Sequence, residues 1–398
     1  MKYYIIAGEA SGDLHGSNLI KGLRAKDPQC EIRFWGGDMM AAAAGTPPVV
    51  HYKDGAIMGF VEVLLHAGKL LGNVKRCKHD ILEWKPDAVI LIDYPGFNFK
   101  IAEFAHSHGF KVFYYIAPKV WASREGRIKK LKKYVDRLFI VFPFEIPYFK
   151  AKGIDAIYCG NPLVDAIAGS AAMNESREDF LRRNKLTDKP YIAMLAGSRK
   201  GEIDTMMPVL TRFADMLHSI PEYSDYRFII AGAPSRSMED YAPYIGKALN
   251  GPKNAKPGHP HDEADIRIIF GETQSVIRNA EAAIINSGTA SLEAVLLGTP
   301  QVVGYILGSR LTYWIGRLIV KSKFISLGNL IADRLVFREL IQDECNAEAL
   351  SEEIRRLLED TQYRKEMLDG YEAIKQSLGN GGASEAVAEA MVRELTPR

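Results

Sequence analysis

The stretch NSGTASLEAVLLGTP, from Asn286 to Pro300, decides the fold. It follows the apolar run Ala282–Ile285 and leads into a second apolar run, Gln301–Tyr305. Small and hydroxyl-bearing residues predict a turn after the first run, and the apolar segment behind that turn is long enough for one helix. A strand, a tight turn, a helix and a second strand form the unit from which parallel α/β sheets are built.

The same alternation runs through most of the chain. Short β-branched or aromatic runs are separated by segments long enough for a crossover helix, which predicts parallel sheets covered by helices. Ten strands are too many for one small domain, so we expect an α/β fold of two doubly wound, Rossmann-like domains that face each other across a cleft. The predicted strands are Tyr3–Ala7, Ile32–Trp35, Ala88–Ile92, Val112–Ile116, Leu138–Phe142, Tyr191–Leu195, Phe228–Ala231, Ile266–Phe270, Ala282–Ile285 and Gln301–Tyr305.

The segment Gly160–Ser176 is small, polar and poor in large apolar residues, as is typical of a linker. It divides a predicted first domain, residues 1–165, from a second one, residues 166–375. The Gly-rich segment Gly379–Ser384 breaks the helical pattern near the end of the chain. We expect the last helix, within residues 376–398, to pack on the first domain of its own chain or of a partner chain.

Composition excludes several classes of function. The chain has 398 residues, is 47% hydrophobic and 25% charged, and carries a formal net charge of +2, which argues against a dedicated nucleic-acid binder. The four cysteines form no CxxC pair and favour reduced thiols in a cytoplasmic protein. The sequence shows neither a signal peptide nor an apolar stretch of membrane-spanning length. We also expect no metal and no cofactor.

Ligands of parallel α/β sheets bind beyond the carboxyl ends of the strands, so the segments that follow the strands are the candidate site. The sequence GEASGD, residues 8–13, follows the first strand and opens a helix. The free N–H groups of that helix terminus favour an anion or a sugar oxygen. An ordinary helix cap by Ser11 or Asp13 explains the pattern equally well.

Asp93 ends a later strand, with Pro95 and Gly96 predicted to form the turn behind it. A carboxylate in this position suits a general base that takes a proton from a hydroxyl nucleophile. A helix cap is the simpler alternative from this segment alone.

The second half of the chain offers the groups that a nucleotide diphosphate requires. Arg199 projects from the tight turn after the first strand of that half and is suited to pair with a diphosphate, although an exposed loop arginine is the alternative. Ser287, Gly288 and Thr289 lie where free N–H groups can hold phosphate oxygens. Glu293 lies about one helical turn further on and can accept both hydroxyls of a ribose. The helix dipole alone also favours an acidic residue there.

Two segments are candidates for an anionic or membrane surface. Trp121 precedes a run of cationic residues between positions 124 and 133, which fits phosphate, an anionic membrane or simply a solvated helix face. The segment Gly55–Leu82 is unusually apolar for a helical pattern and fits a membrane-surface helix or a core helix equally well. The predicted membrane-facing residues are Met58, Phe60, Val61, Leu64, Leu65, Leu71, Lys75 and Arg76.

Several motifs, in their order and spacing over nearly the whole chain, together resemble those of the lipid A disaccharide synthases. These are bacterial inverting glycosyltransferases of the two-domain B-type fold. The motifs are AGEASGD from residue 7, MGFVEV from 58, IDYPGFN from 92, PKVWA from 118, GSR from 197, SGTASLE from 287, SLGNL from 326 and ELIQDEC from 339.

The resemblance implies transfer of 2,3-diacylglucosamine from its UDP derivative to the 6-hydroxyl of 2,3-diacylglucosamine 1-phosphate (lipid X). The implied products are a β-1,6-linked disaccharide 1-phosphate and UDP. It also implies a reaction without metal, peripheral association with the cytoplasmic face of the inner membrane, and a homodimer with exchanged C-terminal elements. Asp93 matches the family's essential aspartate. The other matching positions are Glu9, Ser11 and Asp13 in the first loop, Trp121, and Arg199, Glu293 and Asn329 at or near the UDP pocket.

Two other functions fit parts of the pattern. A UDP-N-acetylglucosamine 2-epimerase shares the fold and a similar Gly-Ser-Arg turn, but it requires carboxylates and a histidine around the sugar, for which His15 is the nearest candidate. A non-catalytic, membrane-associated nucleotide-sugar binding protein is the second alternative, and the presence of Asp93 argues against it.

Overall fold

The computed structural model describes residues 1–55, 67–121, 124–249, 265–286, 288–308 and 323–396. The chain divides into two compact units. The first unit comprises Met1–Asp165 together with Leu378–Arg398, and the second comprises Ala166–Ser377. Each unit contains a parallel sheet with helices between its strands, so the predicted α/β fold class is confirmed.

The first unit contains seven parallel strands: β1 (Lys2–Ala7), β2 (Glu31–Gly36), β3 (Val50–His51), β4 (Ala88–Ile92), β5 (Lys111–Tyr115), β6 (Arg137–Ile140) and β7 (Ala156–Tyr158). Their order in the sheet is β3-β2-β1-β4-β5-β6-β7. The direction in which strands are added therefore reverses between β1 and β4. In doubly wound sheets the carboxyl ends of such a strand pair open the crevice that receives ligands.

Helices connect these strands, and a short 3₁₀ turn, Glu125–Arg127, follows the loop after β5. The helices are α1 (Ala10–Lys26), α2 (Asp38–Ala44), α3 (Tyr52–Gly55), α4 (Ala67–Trp84), α5 (Pro95–Ser107), α6 (Ile128–Tyr134), α7 (Glu145–Ala151) and α8 (Pro162–Ala168). Buried side chains of β1, β4 and β5 form the centre of one hydrophobic core, against which α4 and α5 pack.

The second unit contains six parallel strands: β8 (Tyr191–Leu195), β9 (Arg227–Gly232), β10 (Ile266–Phe270), β11 (Ala282–Asn286), β12 (Gln301–Tyr305) and β13 (Glu339–Ile341). Their order is β10-β9-β8-β11-β12-β13, which reverses between β8 and β11. Its helices are α9 (Ala171–Asn174), α10 (Arg177–Arg183), α11 (Lys200–His218), α12 (Met238–Leu249), α13 (Thr273–Arg278), α14 (Thr289–Leu297), α15 (Leu327–Ala332), α16 (Ala347–Glu359) and α17 (Thr361–Leu378), with 3₁₀ turns at Pro221–Tyr223 and Gln342–Glu344.

All ten predicted strands are confirmed, with ends that differ by at most two residues. The structure adds β3, β7 and β13, which the sequence pattern did not predict. Each of these three is only two or three residues long and lies at an edge of its sheet. A strand that is buried on both faces has a long apolar run in its sequence, whereas an edge strand of two or three residues has none.

The last helix, α18 (Ala383–Leu395), packs against α1 within the first unit. Lys26 of α1 forms ion pairs with Glu385 at 2.9 Å and Glu389 at 3.1 Å. The carboxylate of Asp165 accepts the N–H groups of Gly382 at 2.6 Å and Ser384 at 3.1 Å and thereby caps the start of α18. The C-terminal helix thus belongs to the first unit.

Over the ranges that the structure describes, each helix is too short or too polar to cross a membrane.

Candidate active site

Asp93 follows β4 directly, at the point where the strand order of the first sheet reverses. Asp93 and Tyr94 both have left-handed backbones, with φ of 41° and 45°, a conformation that costs energy for residues other than glycine. The carbonyl of Asp93 accepts the Tyr114 hydroxyl at 2.7 Å and the Asn98 side-chain amide at 2.8 Å. These two bonds hold the strained turn in place.

The turn after β4 is shorter than the sequence predicted. Pro95 and Gly96 do not form it, because they are the first two residues of α5. Pro95 at the first helical position is favourable, since its fixed φ suits a helix and its missing N–H has no partner there in any case. The assignment of these two residues to the turn was therefore wrong.

The carboxyl group of Asp93 lies in an environment that disfavours its charge. Burial raises its pKa to about 6, and the negative charge of Glu9 adds to that effect. Lys119, the N–H of Tyr94 and Arg127 act in the opposite direction but more weakly. A carboxyl with a pKa near 6 is mostly ionised at neutral pH and is still a stronger base than an ordinary aspartate.

Glu9 directly precedes α1 and Ser11 lies in its first turn, just beyond β1, the strand that pairs with β4. Both side chains are exposed, and the Ser11 hydroxyl donates to the Glu9 carboxylate at 2.8 Å. Gly8 is packed against the Tyr94 ring so closely that a Cβ would lie 2.3 Å from Cγ of that ring. The structure therefore brings Glu9 and Asp93 to the same edge of the first sheet.

Asp13, in the first turn of α1, has a different environment from Glu9 and Ser11. Its buried carboxylate accepts the N–H groups of Gly37 at 2.7 Å, Met39 at 3.1 Å and Met40 at 3.1 Å. These bonds fix the start of α2 against α1. They give Asp13 a structural role, and its contact with substrate stays a prediction.

Trp121 is held by a carboxylate that the sequence analysis missed. Its indole N–H donates to Glu145 at 2.9 Å, and the other carboxylate oxygen of Glu145 accepts the N–H groups of Val141 and Phe142. Glu145 is almost fully buried, and burial raises the pKa of its carboxyl to about 7. The only signal in the sequence was a single carboxylate within the aromatic stretch FPFEIPYF, residues 142–149.

Arg199 caps α11 at the end of the turn that follows β8. Its guanidinium contacts Glu202 at 2.9 Å, while the other oxygen of Glu202 accepts the N–H groups of Ser198 and Arg199. Gly197 has φ of 108°, and a Cβ there would lie 2.6 Å from the Glu202 carboxylate. The Arg199 side chain is 81% exposed, so its ion pair is weak and can exchange for a bound anion.

The turn after β11 has the predicted form. β11 ends at Asn286 and α14 begins at Thr289, with Gly288 before it at φ of 155°. The side-chain amide of Asn286 donates to the Ala196 carbonyl at 2.9 Å and ties this turn to the turn after β8. Ser287 lies outside the described residues. Both strand-end turns at the reversal point of the second sheet are therefore side by side.

Glu293 lies on α14, half-buried, and burial raises the pKa of its carboxyl. Among the described residues, no side chain forms an ion pair or hydrogen bond with this carboxylate.

Asn329 is fully engaged inside the second unit. Its amide nitrogen donates to the Phe337 carbonyl and to Glu339, both at 2.9 Å, and its oxygen accepts the N–H groups of Val336 and Phe337. The side chain is completely buried. These bonds hold the loop before β13, and the predicted contact with substrate stays a prediction.

Only part of the predicted membrane-facing set can be located. Met58, Phe60, Val61, Leu64 and Leu65 lie outside the described residues. On α4, Leu71 is 60% exposed and both Lys75 and Arg76 are exposed. The opposite side of the same helix is buried in the core of the first unit through Val74, Cys77 and Ile81. The described part of α4 is thus amphipathic.

His15, the candidate histidine of the epimerase alternative, lies on α1. Burial lowers the pKa of its imidazole to about 4, so the ring is neutral at physiological pH. Its Nδ1 has no hydrogen-bond partner in the described part of the chain. No cluster of three or more His, Cys, Asp or Glu side chains suited to a metal ion occurs in that same part.

The fold and the two sets of strand-end loops define the class of the protein. Two parallel α/β units, each with polar loops where its strand order reverses, form a fold of the two-domain glycosyltransferase B type. A sequence model of the lipid-A-disaccharide synthetase family matches residues 3–392. The chain belongs to that family, which is a family of glycosyltransferases.

Similar proteins agree with this assignment. The chain is 37% identical over 391 residues to a lipid-A-disaccharide synthase of Geobacter metallireducens, with 98% of this chain and 96% of the relative covered. It is 31% identical over 385 residues to one of Coxiella burnetii, with 97% and 96% covered. Among solved structures, a UDP-GlcNAc 2-epimerase of Neisseria meningitidis bound to UDP-GlcNAc superimposes with a TM-score of 0.66 at 13% identity, covering 99% and 100% of the two chains. At that identity the likeness concerns the fold alone.

Proposed function

We propose that this chain transfers 2,3-diacylglucosamine from its UDP derivative to the 6-hydroxyl of 2,3-diacylglucosamine 1-phosphate. The products are the β-1,6-linked disaccharide 1-phosphate and UDP. The observation that carries the proposal is Asp93, a carboxyl with a pKa of about 6 at the strand-order reversal of the first sheet, in a chain of the lipid-A-disaccharide synthase family.

The proposed chemistry is a single inverting displacement. Asp93 accepts the proton of the acceptor's 6-hydroxyl while that oxygen attacks the anomeric carbon of the donor sugar. The bond from the anomeric carbon to the diphosphate breaks, and UDP leaves with the electron pair. The strained backbone at Asp93 and the bonds from Tyr114 and Asn98 support a fixed direction for the carboxylate.

The second unit holds UDP in this proposal. Arg199 exchanges its exposed pair with Glu202 for the diphosphate, and the N–H groups of the turn at Ser287, Gly288 and Thr289 bind phosphate oxygens. The half-buried carboxylate of Glu293, for which the described residues offer no side-chain partner, accepts the two ribose hydroxyls. Charge on the leaving diphosphate is thereby stabilised by groups already in position.

Five further residues have supporting roles in the proposal. Glu9 and Ser11 bind sugar hydroxyls beside Asp93, as their exposure and strand-end positions support. Trp121, fixed by Glu145, lines the acceptor side. Asp13 and Asn329 position the loops around them through bonds inside their own units.

The acylated substrates require contact with a lipid surface. We propose that the protein associates peripherally with the cytoplasmic face of the inner membrane through the segment around Met58, Phe60, Val61, Leu64 and Leu65 and through the start of α4. The exposure of Leu71, Lys75 and Arg76 supports this assignment.

We further propose a homodimer that exchanges C-terminal elements. Its support is the Gly-rich segment before α18, which is long enough to redirect that helix. Mass photometry of the full chain at nanomolar concentration tests the dimer, and a monomer mass overturns it.

The reaction is tested by incubating the purified full-length chain with both substrates and identifying the products by mass spectrometry. We expect UDP and a disaccharide monophosphate to appear in equal amounts. Release of UDP without disaccharide, or conversion of UDP-N-acetylglucosamine into an epimer, would contradict the proposal.

A further inference from the structure

Arg127 lies on the acceptor side of the first unit and has an unusual environment for an arginine. Its side chain is half-buried, and its guanidinium carbon lies 5.8 Å from the centre of the Phe99 ring. The Phe99 ring packs on Tyr114 at 5.7 Å, and the Tyr114 hydroxyl donates to the Asp93 carbonyl. Two ring contacts therefore connect this cation to the turn that carries the proposed base.

Two further cations gather around the same place. Arg124 has a left-handed backbone with φ of 58°, and its carbonyl accepts the N–H of Arg127 at 3.0 Å, which closes the 3₁₀ turn. The two arginines are near enough that Arg124, after burial, is the next largest influence lowering the pKa of Arg127. Lys119, at the end of the loop after β5, is exposed and acts on the Asp93 carboxyl together with Arg127.

These three cations have no carboxylate partner at ion-pair distance in the described ranges. Glu125 lies between the two arginines in sequence but pairs with Lys152 at 2.5 Å. Gathering like charges at a partly buried position costs free energy that a bound anion would offset. The arrangement is thus suited to a dianion approaching from solvent, since arginine binds phosphate oxygens in a bidentate manner.

We propose that Arg127 and Arg124, assisted by Lys119, bind the 1-phosphate of the acceptor sugar. This proposal rests on the proposed function, in which the acceptor's hydroxyl reaches Asp93. The acceptor carries its reacting hydroxyl and its phosphate on one hexose ring, so the phosphate must bind within one sugar ring of Asp93. The diphosphate of the donor has its own ligands in the second unit, and the phosphate site beside Asp93 therefore selects the acceptor.

The test compares two acceptors, one with the 1-phosphate and one without it. Wild-type protein should use the phosphorylated acceptor with the higher kcat/KM. Arg127→Gln should lower kcat/KM for the phosphorylated acceptor about tenfold to a hundredfold more than for the other acceptor, as expected for a lost charge-assisted contact. Lys129→Gln, which removes an exposed cation of α6, should leave both values unchanged.

The exposed Arg124 offers a second variant that does not disturb packing. Arg124→Gln should reduce the preference for the phosphorylated acceptor in the same direction, with an unchanged melting temperature. An equal loss on both acceptors in both variants would mean a structural role and would overturn the proposal, as would an unchanged preference.

A phospholipid headgroup presents the same phosphate chemistry. Sedimentation with phosphatidylglycerol vesicles is therefore a second experiment, which distinguishes a headgroup from the acceptor phosphate. Arg127→Gln should bind these vesicles like wild type. Loss of vesicle binding with an unchanged acceptor preference would assign the cations to the membrane and overturn the proposal. If wild-type protein forms no disaccharide from either acceptor, the proposed function itself fails, and the inference about the acceptor phosphate falls with it.

Discussion

Asp93 and Glu9 follow adjacent strands, and the negative charge of Glu9, added to burial, holds the pKa of the Asp93 carboxyl near 6. Lys119 and Arg127 face the same carboxyl and oppose the shift, while the Tyr114 hydroxyl is directed to the backbone carbonyl rather than to the carboxylate. The reactivity of this single residue is therefore set by side chains that follow β1 and β5. A base with a pKa near the working pH is the one that general base catalysis favours.

The pH dependence of kcat/KM tests this environment. Protonated Asp93 cannot accept a proton, so the rate should fall about tenfold per pH unit below about 6 and level off above it. Glu9→Gln removes the neighbouring negative charge and should move this acidic limb of the pH profile of kcat/KM to lower pH. Glu31→Gln, an exposed change at the opposite end of β2, is the matched control and should leave the limb in place. If the acidic part of the pH profile stays in place in Glu9→Gln, Asp93 is not the group whose titration the profile reports.

UDP affinity tests the residues of the second unit. Arg199→Ala and Glu293→Ala each remove one charge-assisted contact, and each should weaken UDP binding roughly tenfold to a hundredfold in isothermal calorimetry. Lys200→Ala is the control, because Lys200 is the next residue along α11 and pairs with Asp204. Wild-type UDP affinity in both variants would contradict the assignment of Arg199 and Glu293 to the UDP site.

The positions of Asp93 and Glu9 were predictable from the sequence, because each comes just after an apolar run that forms a strand. Glu293 was predictable because it lies in the helix that follows such a run. The left-handed backbone at Asp93 and Tyr94 was not predictable, since it depends on bonds from Tyr114 and Asn98, which are set by tertiary packing. The support that Glu145 gives Trp121 was missed for the same reason. Local pattern shows which residue ends a strand but not which side chains will hold it.

At the level of secondary structure, the two sheets place Glu9, Asp93, Arg199 and the turn at Gly288 just beyond strands that flank a reversal of strand order. The long apolar runs predicted β1, β4, β8 and β11 because these interior strands are buried on both faces. The short edge strands gave no comparable signal. The part of the fold that positions the site was thus the most predictable part.

The start of α4 is the element that the membrane proposal can test within the described residues. Leu71→Ser should weaken sedimentation with phosphatidylglycerol vesicles by roughly tenfold or more, because burying a leucine side chain contributes about 1.5–3 kcal/mol. Leu82→Ser alters an exposed leucine near the other end of the same helix and should have no such effect. Equal vesicle binding by the two variants would place the membrane contact elsewhere.

At the scale of the whole molecule, α18 joins the end of the chain to α1 in the first unit. The ion pairs of Lys26 are exposed and contribute little, so the cap by Asp165 and the apolar contact of the two helices carry more of the attachment. Gly22 allows this close approach, since a Cβ there would lie 3.0 Å from Cβ of Ala388. Residues far apart in the sequence thus complete one compact unit.

Removing the cap of α18 should lower thermal stability. Asp165→Ala leaves the N–H groups of Gly382 and Ser384 without their acceptor, which costs about 1 kcal/mol and shifts the melting temperature by about 2–4 °C in a unit of this size. Asp369→Ala breaks an exposed ion pair on α17 and serves as the control, with a smaller shift expected. Equal melting temperatures for wild type and Asp165→Ala would show that the cap is dispensable.

In the proposed function, the first unit supplies the base and the second unit holds UDP. The most direct test measures turnover and UDP affinity together in Asp93→Asn. Asparagine keeps the shape and tolerates a left-handed backbone, and since the pKa of Asp93 is raised in the folded protein, losing its charge should not lower stability at neutral pH. We predict that turnover falls about a hundredfold or more while UDP affinity stays at the wild-type value. Turnover close to that of wild type in Asp93→Asn would contradict the claim.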